Sequence, residues 1–188
     1  MSNRTHIKTP LNDDDVSKLK IGAKVLISGV IYTARDAAHK RLIALIDQGK
    51  ELPFNVQNQI LYYVGPSPAR PGVPIGSCGP TTSYRMDVYT PKLLERGLKA
   101  TIGKGNRSEV VIEAMKRYRA VYFAATGGAA ALLSGAVKKM DVIAYQDLGA
   151  EAIMRLEVSN FPVVVANDIY GNDLYKEGVA KYERKLSE

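Results

Sequence analysis

The chain is poor in the residues that hold metals. Its 188 residues include one cysteine, Cys78, two histidines, His6 and His39, and no tryptophan. One cysteine cannot form an internal disulfide bond, and by itself it cannot supply a thiolate metal site or anchor an iron–sulfur cluster. Two histidines are too few for a metal cage built from this chain alone. We therefore expect this chain to hold no metal, and any metal that the protein uses to come from elsewhere.

Long apolar segments are also missing. No stretch approaches the roughly 20 apolar residues of a membrane-spanning helix, and the N-terminal sequence MSNRTHIKTP lacks the apolar core of a signal peptide. We expect a cytoplasmic protein. The length and an apolar fraction of 46% fit one domain over residues 1–188, with a polar lead-in at 1–20 and a charged end at 176–188.

Acidic residues are outnumbered by basic ones, 19 to 26, so the formal net charge is +7. Such an excess suits a nucleic acid, an anionic substrate such as a dicarboxylate, or an acidic protein partner. The basic residues form short clusters at 116–119, 138–139 and 181–185, and these lack the regularly spaced stacking aromatics of RNA-binding proteins. Composition alone leaves the three kinds of partner open.

The hydrophobic pattern predicts alternating strands and helices. It favours strands at 25–32, 60–64, 98–102, 121–125, 141–145 and 163–166, and helices at 35–48, 108–119, 129–137 and 150–154. Residues 11–22 are typical of turns, and the prolines of 51–76 favour an ordered loop. Strands that alternate with helices, two of them fully apolar, predict an α/β fold with a mixed sheet covered by helices.

The most informative segment is GPTTSYRMD at residues 79–87. Gly79-Pro80 interrupts any regular secondary structure that precedes it. A helix that starts among the following hydroxyl residues would place Thr81 and Arg85 on one face. Because a helix N-terminus favours anions, a hydroxyl and a guanidinium there predict a carboxylate or phosphate pocket with a proton-handling group. The alternative is an ordinary turn with a capping threonine and a solvated arginine.

Arg35 and His39 are four residues apart at the start of the first predicted helix, so they would share a face, and Asp36 could orient a neighbour. A cation beside a histidine suits acid–base chemistry, because histidine ordinarily titrates near neutral pH. The alternative is a solvated first turn with a partly buried histidine, and the pair in isolation favours that alternative.

Two glycine-rich turns each join a predicted strand to a predicted helix. GKGNRS at 103–108 combines two glycines with Lys104 and can bind an anion, but it is neither a dinucleotide fingerprint nor a Walker A loop. A simple tight turn is the alternative. Close packing alone explains the second turn, TGGAA at 126–130.

Five segments, in this order, together resemble one family: residues 34–39, 79–87, 103–108, 126–129 and 161–173. They look like the iron–sulfur hydro-lyases, and more narrowly like the β subunit, or C-terminal domain, of class I fumarases and L(+)-tartrate dehydratases. The similarity runs from about residue 25 to residue 175, and GPTT-x-x-RMD is highly specific to the family. The resemblance implies a swivelling β/β/α domain. It also implies a 4Fe–4S cluster held by the cysteines of a separate α subunit.

The resemblance further implies roles for individual residues. Arg35, Arg85 and Lys104 match family positions that bind substrate carboxylates. Thr81 matches the proposed base for the carbon-bound proton, although a threonine hydroxyl is a poor base unless a dry, cationic pocket lowers its pKa. His39 matches a histidine proposed as catalytic in some members.

By resemblance, the chain is the β subunit of a two-subunit class I fumarate hydratase, which reversibly hydrates fumarate to (S)-malate; the residues after Lys104 and around His39 favour this branch. The alternative is the β subunit of L(+)-tartrate dehydratase, which converts tartrate to oxaloacetate and water. The implied partners are a small dicarboxylate and a cluster-bearing α subunit, in an αβ or α2β2 hetero-oligomer, with no nucleic acid and no membrane. Cys78 is treated as incidental. Outside the family, a non-catalytic scaffold subunit and a nucleic-acid-binding domain stay open.

Overall fold

The computed structural model describes residues 4–126 and 128–183. This part of the chain contains seven strands: β1 (Thr5–Lys8), β2 (Lys24–Thr33), β3 (Ile60–Tyr62), β4 (Ala100–Gly103), β5 (Val121–Ala124), β6 (Val137–Ala144) and β7 (Ile153–Asn167). It also contains six α-helices: α1 (Asp13–Ser17), α2 (Asp36–Asp47), α3 (Thr90–Glu95), α4 (Glu109–Tyr118), α5 (Ala130–Gly135) and α6 (Leu174–Tyr182). Two 3-10 helices span Ser83–Met86 and Gln146–Glu151.

The seven strands form one mixed sheet in the order β1-β2-β3-β4-β5-β7-β6. Strands β2 to β5 are parallel to one another, and β7 runs antiparallel to β2, β5 and β6. Because β7 pairs with both β2 and β5, it joins the two ends of the parallel run and closes a ring of five strands. Its 15 residues are long enough to carry β6 on the first half and to reach β5 with the last residues.

Alternation along the strands separates two hydrophobic clusters. Successive side chains of a strand point to opposite faces, so every second residue faces the inside of the ring. The interior cluster includes Ile60, Tyr62, Ile102 and Phe123, and the ring of Tyr62 packs edge-on against Phe161 with centroids 5.3 Å apart. The strands therefore enclose an apolar core.

The second cluster lies between the outside of the ring and three helices. Helices α2, α3 and α4 each bury one apolar stripe against the strands, as amphipathic helices do. The stripes consist of Ala38 and Leu42, of Leu93 and Leu94, and of Val111, Ile112, Ala114 and Met115. Since these helices cover the sides of the ring, the loops at the carboxyl ends of the parallel strands stay available to form a site.

The mixed α/β fold expected from the sequence is confirmed, with a seven-stranded sheet and helices packed on it. The strands expected at 25–32, 98–102 and 121–125 and the helices expected at 35–48 and 108–119 are present within a few residues of those bounds. That residues 1–188 form a single domain stays a prediction, and its last five residues lie outside the described part. Within the described residues, no helix is long and apolar enough to cross a membrane.

Two expectations about secondary structure, at residues 11–22 and 150–154, are wrong. Residues 11–22 contain α1, which is held by a capping box in which Asn12 and Asp15 bind each other's backbone N–H at 2.9 Å. The helix expected at 150–154 does not form, because the 3-10 helix ends at Glu151 and β7 begins at Ile153. The short strand expected at 163–166 is the last part of β7. Partly exposed polar residues alternate with buried ones in the first half of β7, which is typical of a strand, so this signal was present in the sequence and was overlooked.

Candidate active site at the carboxyl ends of the parallel strands

Four parallel strands end at one edge of the ring, and the predicted site residues lie just beyond these ends. Arg35 follows β2, Gly65 follows β3, Lys104 follows β4 and Thr126 follows β5. In α/β proteins, ligands bind outside the carboxyl ends of such strands, where the loops converge. The topology therefore brings together segments that are up to 91 positions apart in the sequence, from Arg35 to Thr126.

The GPTTSYRMD segment is inserted between the ends of β3 and β4. Pro80 forms an isolated bridge with Val64, next to the end of β3. Thr81 donates its backbone N–H to the carbonyl oxygen of Tyr63 at 2.7 Å and accepts from the N–H of Lys104 at 3.2 Å. The side chain of Thr81 is half-buried, and within the described residues its hydroxyl makes no hydrogen bond. The hydroxyl is therefore free for a substrate.

The expectation that a helix places Thr81 and Arg85 on one face is wrong. The segment forms a 3-10 helix of four residues, Ser83–Met86, and the residue before it, Thr82, caps it with no side-chain hydrogen bond. Thr81 precedes this turn, so Thr81 and Arg85 do not share a helical face. The strand-end bridges hold the backbone of Thr81 extended, which explains why the threonines do not begin an α-helix. The site therefore depends on side-chain cations, with no α-helix N-terminus at this segment.

Asp36 joins two of the predicted carboxylate-binding arginines. Its two carboxylate oxygens accept from Nε and Nη2 of Arg85 at 2.9 and 2.8 Å, which is a bidentate pair. Nη2 of Arg35 lies 3.8 Å from the same carboxylate and 3.5 Å from Glu151. The Arg85 side chain is 49% exposed, so its remaining N–H groups are accessible to a ligand. The expectation that Asp36 orients a neighbour agrees with this geometry.

Arg35 reaches the site because residue 65 is a glycine. A Cβ atom placed on Gly65 would lie 2.7 Å from Nη1 of Arg35 and 3.2 Å from the carbonyl oxygen of Ala150. The guanidinium therefore occupies the space that any other side chain would fill. Its Nε is buried and has no hydrogen-bond partner among the described residues.

Lys104 is the third cation at this edge. Its side chain is exposed, and within the described residues it forms no salt bridge. Its loop passes close to the GPTTSYRMD segment: Ser83 donates its N–H to the carbonyl oxygen of Lys104 at 2.8 Å. A Cβ on Gly103 would lie 1.9 Å from Oγ of Ser83, so only glycine permits this approach. The site therefore holds three cations against the two carboxylates of Asp36 and Glu151. The excess of one positive charge suits an anionic substrate.

His39 lies beneath the site and is fully buried. Its Nδ1 is 2.8 Å from the carbonyl oxygen of Arg35, and its ring packs against the rings of Tyr63 and Tyr89 at 5.2 and 5.8 Å. Nε2 is buried without a partner in the described part of the chain. Burial lowers the pKa of His39 to about 4, so the imidazole is neutral near pH 7. Its catalytic role stays a prediction, and its visible contact is with the backbone of Arg35.

Sequence reasoning missed the buried polar layer under the site. Arg107 has a fully buried side chain that pairs with Asp87 at 2.7 Å, and Tyr122 donates to the carbonyl oxygen of Gly105 at 2.9 Å. One signal was present in the sequence. Thr101 and Tyr122 place hydroxyls inside the short strands β4 and β5, Tyr63 directly follows β3, and buried hydroxyls require polar partners.

The residues of this chain do not fit an iron–sulfur cluster. Cys78 is buried, its Sγ lies 3.9 Å from the carbonyl oxygen of Ala130, and burial raises the pKa of its thiol to about 11. A cluster ligand must be a thiolate, and a cluster needs several of them. In the described part of the chain, no group of three or more His, Cys, Asp or Glu side chains could hold a metal ion.

The sequence matches the family described as "Fumarase C-terminus" over residues 1–178. A protein of Methanocaldococcus jannaschii, provisionally named L(+)-tartrate dehydratase subunit beta, is 41% identical over 184 residues, which cover 95% of this chain and 94% of that protein. The anaerobic class I fumarate hydratase of Escherichia coli K12 is 39% identical over 168 residues, 88% of this chain and 31% of that enzyme. Fumarate hydratase 2 of Leishmania major is 34% identical over 181 residues, 94% of this chain and 32% of that protein.

The chain thus spans nearly the whole archaeal subunit but about a third of the two fumarate hydratases. The matched region includes every segment on which the resemblance was based: 34–39, 79–87, 103–108, 126–129 and 161–173. Of the fourth segment, Gly127 lies outside the described residues. The resemblance to the hydro-lyase β subunit or C-terminal domain is confirmed, and the chain belongs to the fumarase C-terminus family.

Proposed function

We propose that this chain is the β subunit of a two-subunit class I fumarate hydratase. The observation that carries the proposal is the convergence of Arg35, Thr81, Arg85 and Lys104 at one edge of the ring. Arg85 and Arg35 are joined through Asp36, and Thr81 is joined to Lys104 by a backbone hydrogen bond of 3.2 Å. Four groups from three separate segments would gather in this way by chance only rarely, and they have the chemistry that a dicarboxylate requires.

The three cations bind the two carboxylates of the substrate. Arg85 presents the part of its guanidinium that Asp36 leaves free, and its bidentate pair fixes the plane of that fork. Lys104 supplies a flexible point charge from the neighbouring loop. Arg35 is less exposed, with 23% of its side chain accessible, so it acts at the inner wall of the site.

Thr81 handles the carbon-bound proton. In the direction from malate to fumarate, its deprotonated hydroxyl takes the proton from the carbon next to the carbinol. The C–H electron pair then forms the double bond as the C–O bond breaks, and hydroxide leaves with the C–O pair. The excess positive charge of the site favours the deprotonated form of Thr81 once the site is closed to water. In the hydration direction, the same hydroxyl returns the proton.

His39 acts as a positioning residue for Arg35 in this proposal. Its Nδ1–H donates to the carbonyl oxygen of Arg35, and because its pKa lies at about 4, it keeps this donor and stays uncharged at neutral pH. A neutral imidazole adds no charge near the guanidinium of Arg35, whose backbone carbonyl it binds.

A separate α subunit completes the enzyme in this proposal. The relatives named fumarate hydratase are about three times as long as this chain, and the archaeal relative of matched length carries the name of a β subunit. The 4Fe–4S cluster implied by the family belongs to that α subunit, together with the activation of the departing hydroxyl, because Cys78 alone cannot hold it. We expect the assembly to be an αβ or α2β2 hetero-oligomer in the cytoplasm.

L(+)-tartrate dehydratase is the second candidate function. The relative that matches nearly the full length of this chain carries that name, and at 41% its identity is slightly above that of the E. coli fumarate hydratase at 39%. Both substrates carry two carboxylates and lose a hydroxyl beside a C–H bond, so the same four residues serve either reaction.

The test is reconstitution of this chain with its α subunit, followed by activity assays on fumarate, (S)-malate and L(+)-tartrate. We expect no turnover from either chain alone, and turnover of fumarate and malate by the complex after iron and sulfide analysis confirms a loaded cluster. Preferential turnover of tartrate would establish the second candidate. A loaded complex that turns over none of the three would indicate a scaffold subunit, and DNA binding that survives physiological salt would favour the nucleic-acid alternative.

A further inference from the structure

The guanidinium of Arg107 is a buried charge beneath the proposed site. Its side chain has no exposed surface. Nε donates to Oδ1 of Asp87 at 2.7 Å, Nη1 donates to Oγ1 of Thr101 at 3.0 Å, and Nη2 donates to Oγ1 of Thr90 at 2.8 Å. Nη2 also lies 3.5 Å from the hydroxyl of Tyr63. A charge removed from water is tolerated only with such partners, so this arrangement serves a purpose that an apolar side chain would not.

Three partners of Arg107 support groups of the proposed active site, and the fourth, Thr90, begins α3. Asp87 is two residues beyond Arg85, at the end of the 3-10 turn. Thr101 lies in β4, three residues before Lys104. The carbonyl oxygen of Tyr63 accepts the N–H of Thr81 at 2.7 Å. One guanidinium therefore contacts the supports of three of the four site groups, Thr81, Arg85 and Lys104.

A second set of contacts closes the same layer from the other side. Oδ2 of Asp87 accepts from the N–H of Ser108 at 2.6 Å, which fixes the residue next to Arg107. The hydroxyl of Tyr122 lies 2.9 Å from Oγ of Ser83 and donates to the carbonyl oxygen of Gly105 at 2.9 Å. The ring of Tyr122 also lies under the guanidinium, with its centroid 5.0 Å from Cζ of Arg107. The GPTTSYRMD segment and the Lys104 loop are thus tied together below the surface.

We propose that Arg107 is a positioning residue that holds Thr81, Arg85 and Lys104 in one fixed arrangement. This inference rests on the proposed function, since it concerns the same site. Arg107 does not touch the substrate, because it is buried beneath the loops. Its planar fork is required, since three N–H groups reach three separate elements in directions that a lysine ammonium cannot reproduce. Misplacement of reacting groups by about 1 Å can cost about 100-fold in rate, so loss of this fork lowers kcat.

The first test is hydrogen exchange in the full chain alone, which needs no active enzyme. Three backbone amides link the segments: those of Thr81, Ser83 and Lys104. In Arg107→Lys and in the near-isosteric Thr101→Val, we expect these amides to exchange about tenfold faster or more, while amides of β7 keep their protection. Thr101→Val also covers the case in which Arg107→Lys fails to fold.

Asp168→Asn is the matched control. Asp168 is a fully buried carboxylate that accepts from the backbone of Ile21, Tyr170 and Asn172, before β2 and after β7, away from the site. This variant should lose stability without selective exchange at Thr81, Ser83 and Lys104. Unchanged exchange of these three amides in both Thr101→Val and folded Arg107→Lys would overturn the proposal. So would a uniform increase across the chain, because that would indicate a general structural role.

The second test uses the reconstituted complex. At equal cluster loading and equal amounts of folded complex, we expect Arg107→Lys to lower kcat about 100-fold with less than about a threefold change in KM, and Asp168→Asn to leave both near wild type. Thr101→Val should lower kcat in the wild-type background but add little to Arg107→Lys, since both remove the same contact. Normal kcat in Arg107→Lys would refute the positioning role. An inactive wild-type complex would instead refute the proposed function, and the exchange result would stand separately.

Discussion

The two faces of strands β3, β4 and β5 differ in chemistry although their residues alternate along the same backbone. The face inside the ring carries Ile60, Tyr62, Ile102, Val121 and Phe123, and it packs into a closed apolar core. The face outside carries the apolar Leu61 together with Thr101 and Tyr122, and Tyr63 directly follows β3; the hydroxyls of Tyr63, Thr101 and Tyr122 all lie in the polar layer beneath the site. Both faces are buried, so exposure to water does not explain the difference.

The difference shows how the fold divides its tasks. Apolar packing is non-directional and stabilises the ring without specifying where any single group points. Hydrogen bonds are directional, and a buried layer of them fixes the loops above it to within a narrow range of positions. The inner face should therefore control stability, and the outer face should control catalysis.

Thr81→Ala should lower kcat by about 10²–10⁴-fold with little change in KM, because it removes a proton-transfer group needed only as the carbon-bound proton moves. The unfolding midpoint should stay near wild type, since within the described residues the hydroxyl makes no hydrogen bond. The neighbour Thr82 is exposed, caps its turn with no side-chain bond, and gives the matched control, Thr82→Ala. Steady-state kinetics on the loaded complex measure both, and near-normal kcat in Thr81→Ala would remove this residue from the mechanism.

Phe123→Ala should reduce the free energy of unfolding by about 3–5 kcal/mol, since it empties a large part of the fully buried interior of the ring. Activity per folded complex should be close to wild type. Urea titration followed by circular dichroism measures the first quantity, and kinetics at low temperature measures the second. The comparison of the two faces would break down if this variant lost most of its kcat while retaining a full complement of folded protein.

Arg85→Lys should raise KM for the dicarboxylate by roughly 30- to 150-fold, equivalent to about 2–3 kcal/mol, because lysine keeps the charge but loses the two-pronged donor. The matched control is Arg41→Lys. Arg41 also forms a bidentate pair, with Asp147, but this pair lies on the surface between α2 and the second 3-10 helix. A similar rise in KM for Arg41→Lys would show that surface charge in general, and not the site, determines substrate binding.

The smallest effect concerns pH and His39. In the unfolded chain a histidine has a pKa near 6.5, whereas burial lowers the pKa of His39 to about 4 in the folded chain. Protonation therefore favours unfolding. The contribution of neutral His39 to the free energy of unfolding is fully present above about pH 6.5 and is lost as the pH falls towards 4. By pH 5 the loss amounts to about 2 kcal/mol.

His39→Asn should abolish about 2 kcal/mol of the stability difference between pH 7 and pH 5, measured as urea unfolding free energies. His6→Asn is the control, because His6 is exposed and should leave the pH dependence unchanged. An identical pH dependence in wild type and His39→Asn would contradict the burial of a neutral imidazole in the outer layer.

The positions of the site residues were largely predictable, whereas their local geometry was not. Arg35, Thr81, Arg85 and Lys104 were selected from spacing and from family resemblance, and the structure places all four at one edge. The helical setting of Thr81 was wrong, because the ends of β3 and β4 capture its backbone. The backbone of Thr81 bonds to Tyr63, 18 residues earlier, and to Lys104, 23 residues later. Local helix signals cannot predict such distant bonds.

The length of β7 and the burial of Arg107 both depend on residues that are far apart in the chain. The length of β7 was overlooked although its first half alternates buried with partly exposed residues, as a strand does, and its pairing with three strands decides which residues stay covered. Arg107 stands in a glycine-rich loop, where an arginine is usually solvated. Only the approach of Asp87, 20 residues earlier, makes it a buried ion pair.

The amino-acid sequence established the α/β class, the positions of β2 to β5 and of helices α2, α4 and α5, the family, and the chemistry available for a dicarboxylate. It did so because hydrophobic periodicity is local and because GPTT-x-x-RMD carries its chemistry within nine residues. The tertiary structure alone decided that β7 closes the ring, that Asp36 binds two arginines together, and that Arg107 lies beneath the site. These features depend on contacts between residues far apart in the chain, and such contacts form only when the whole core is packed.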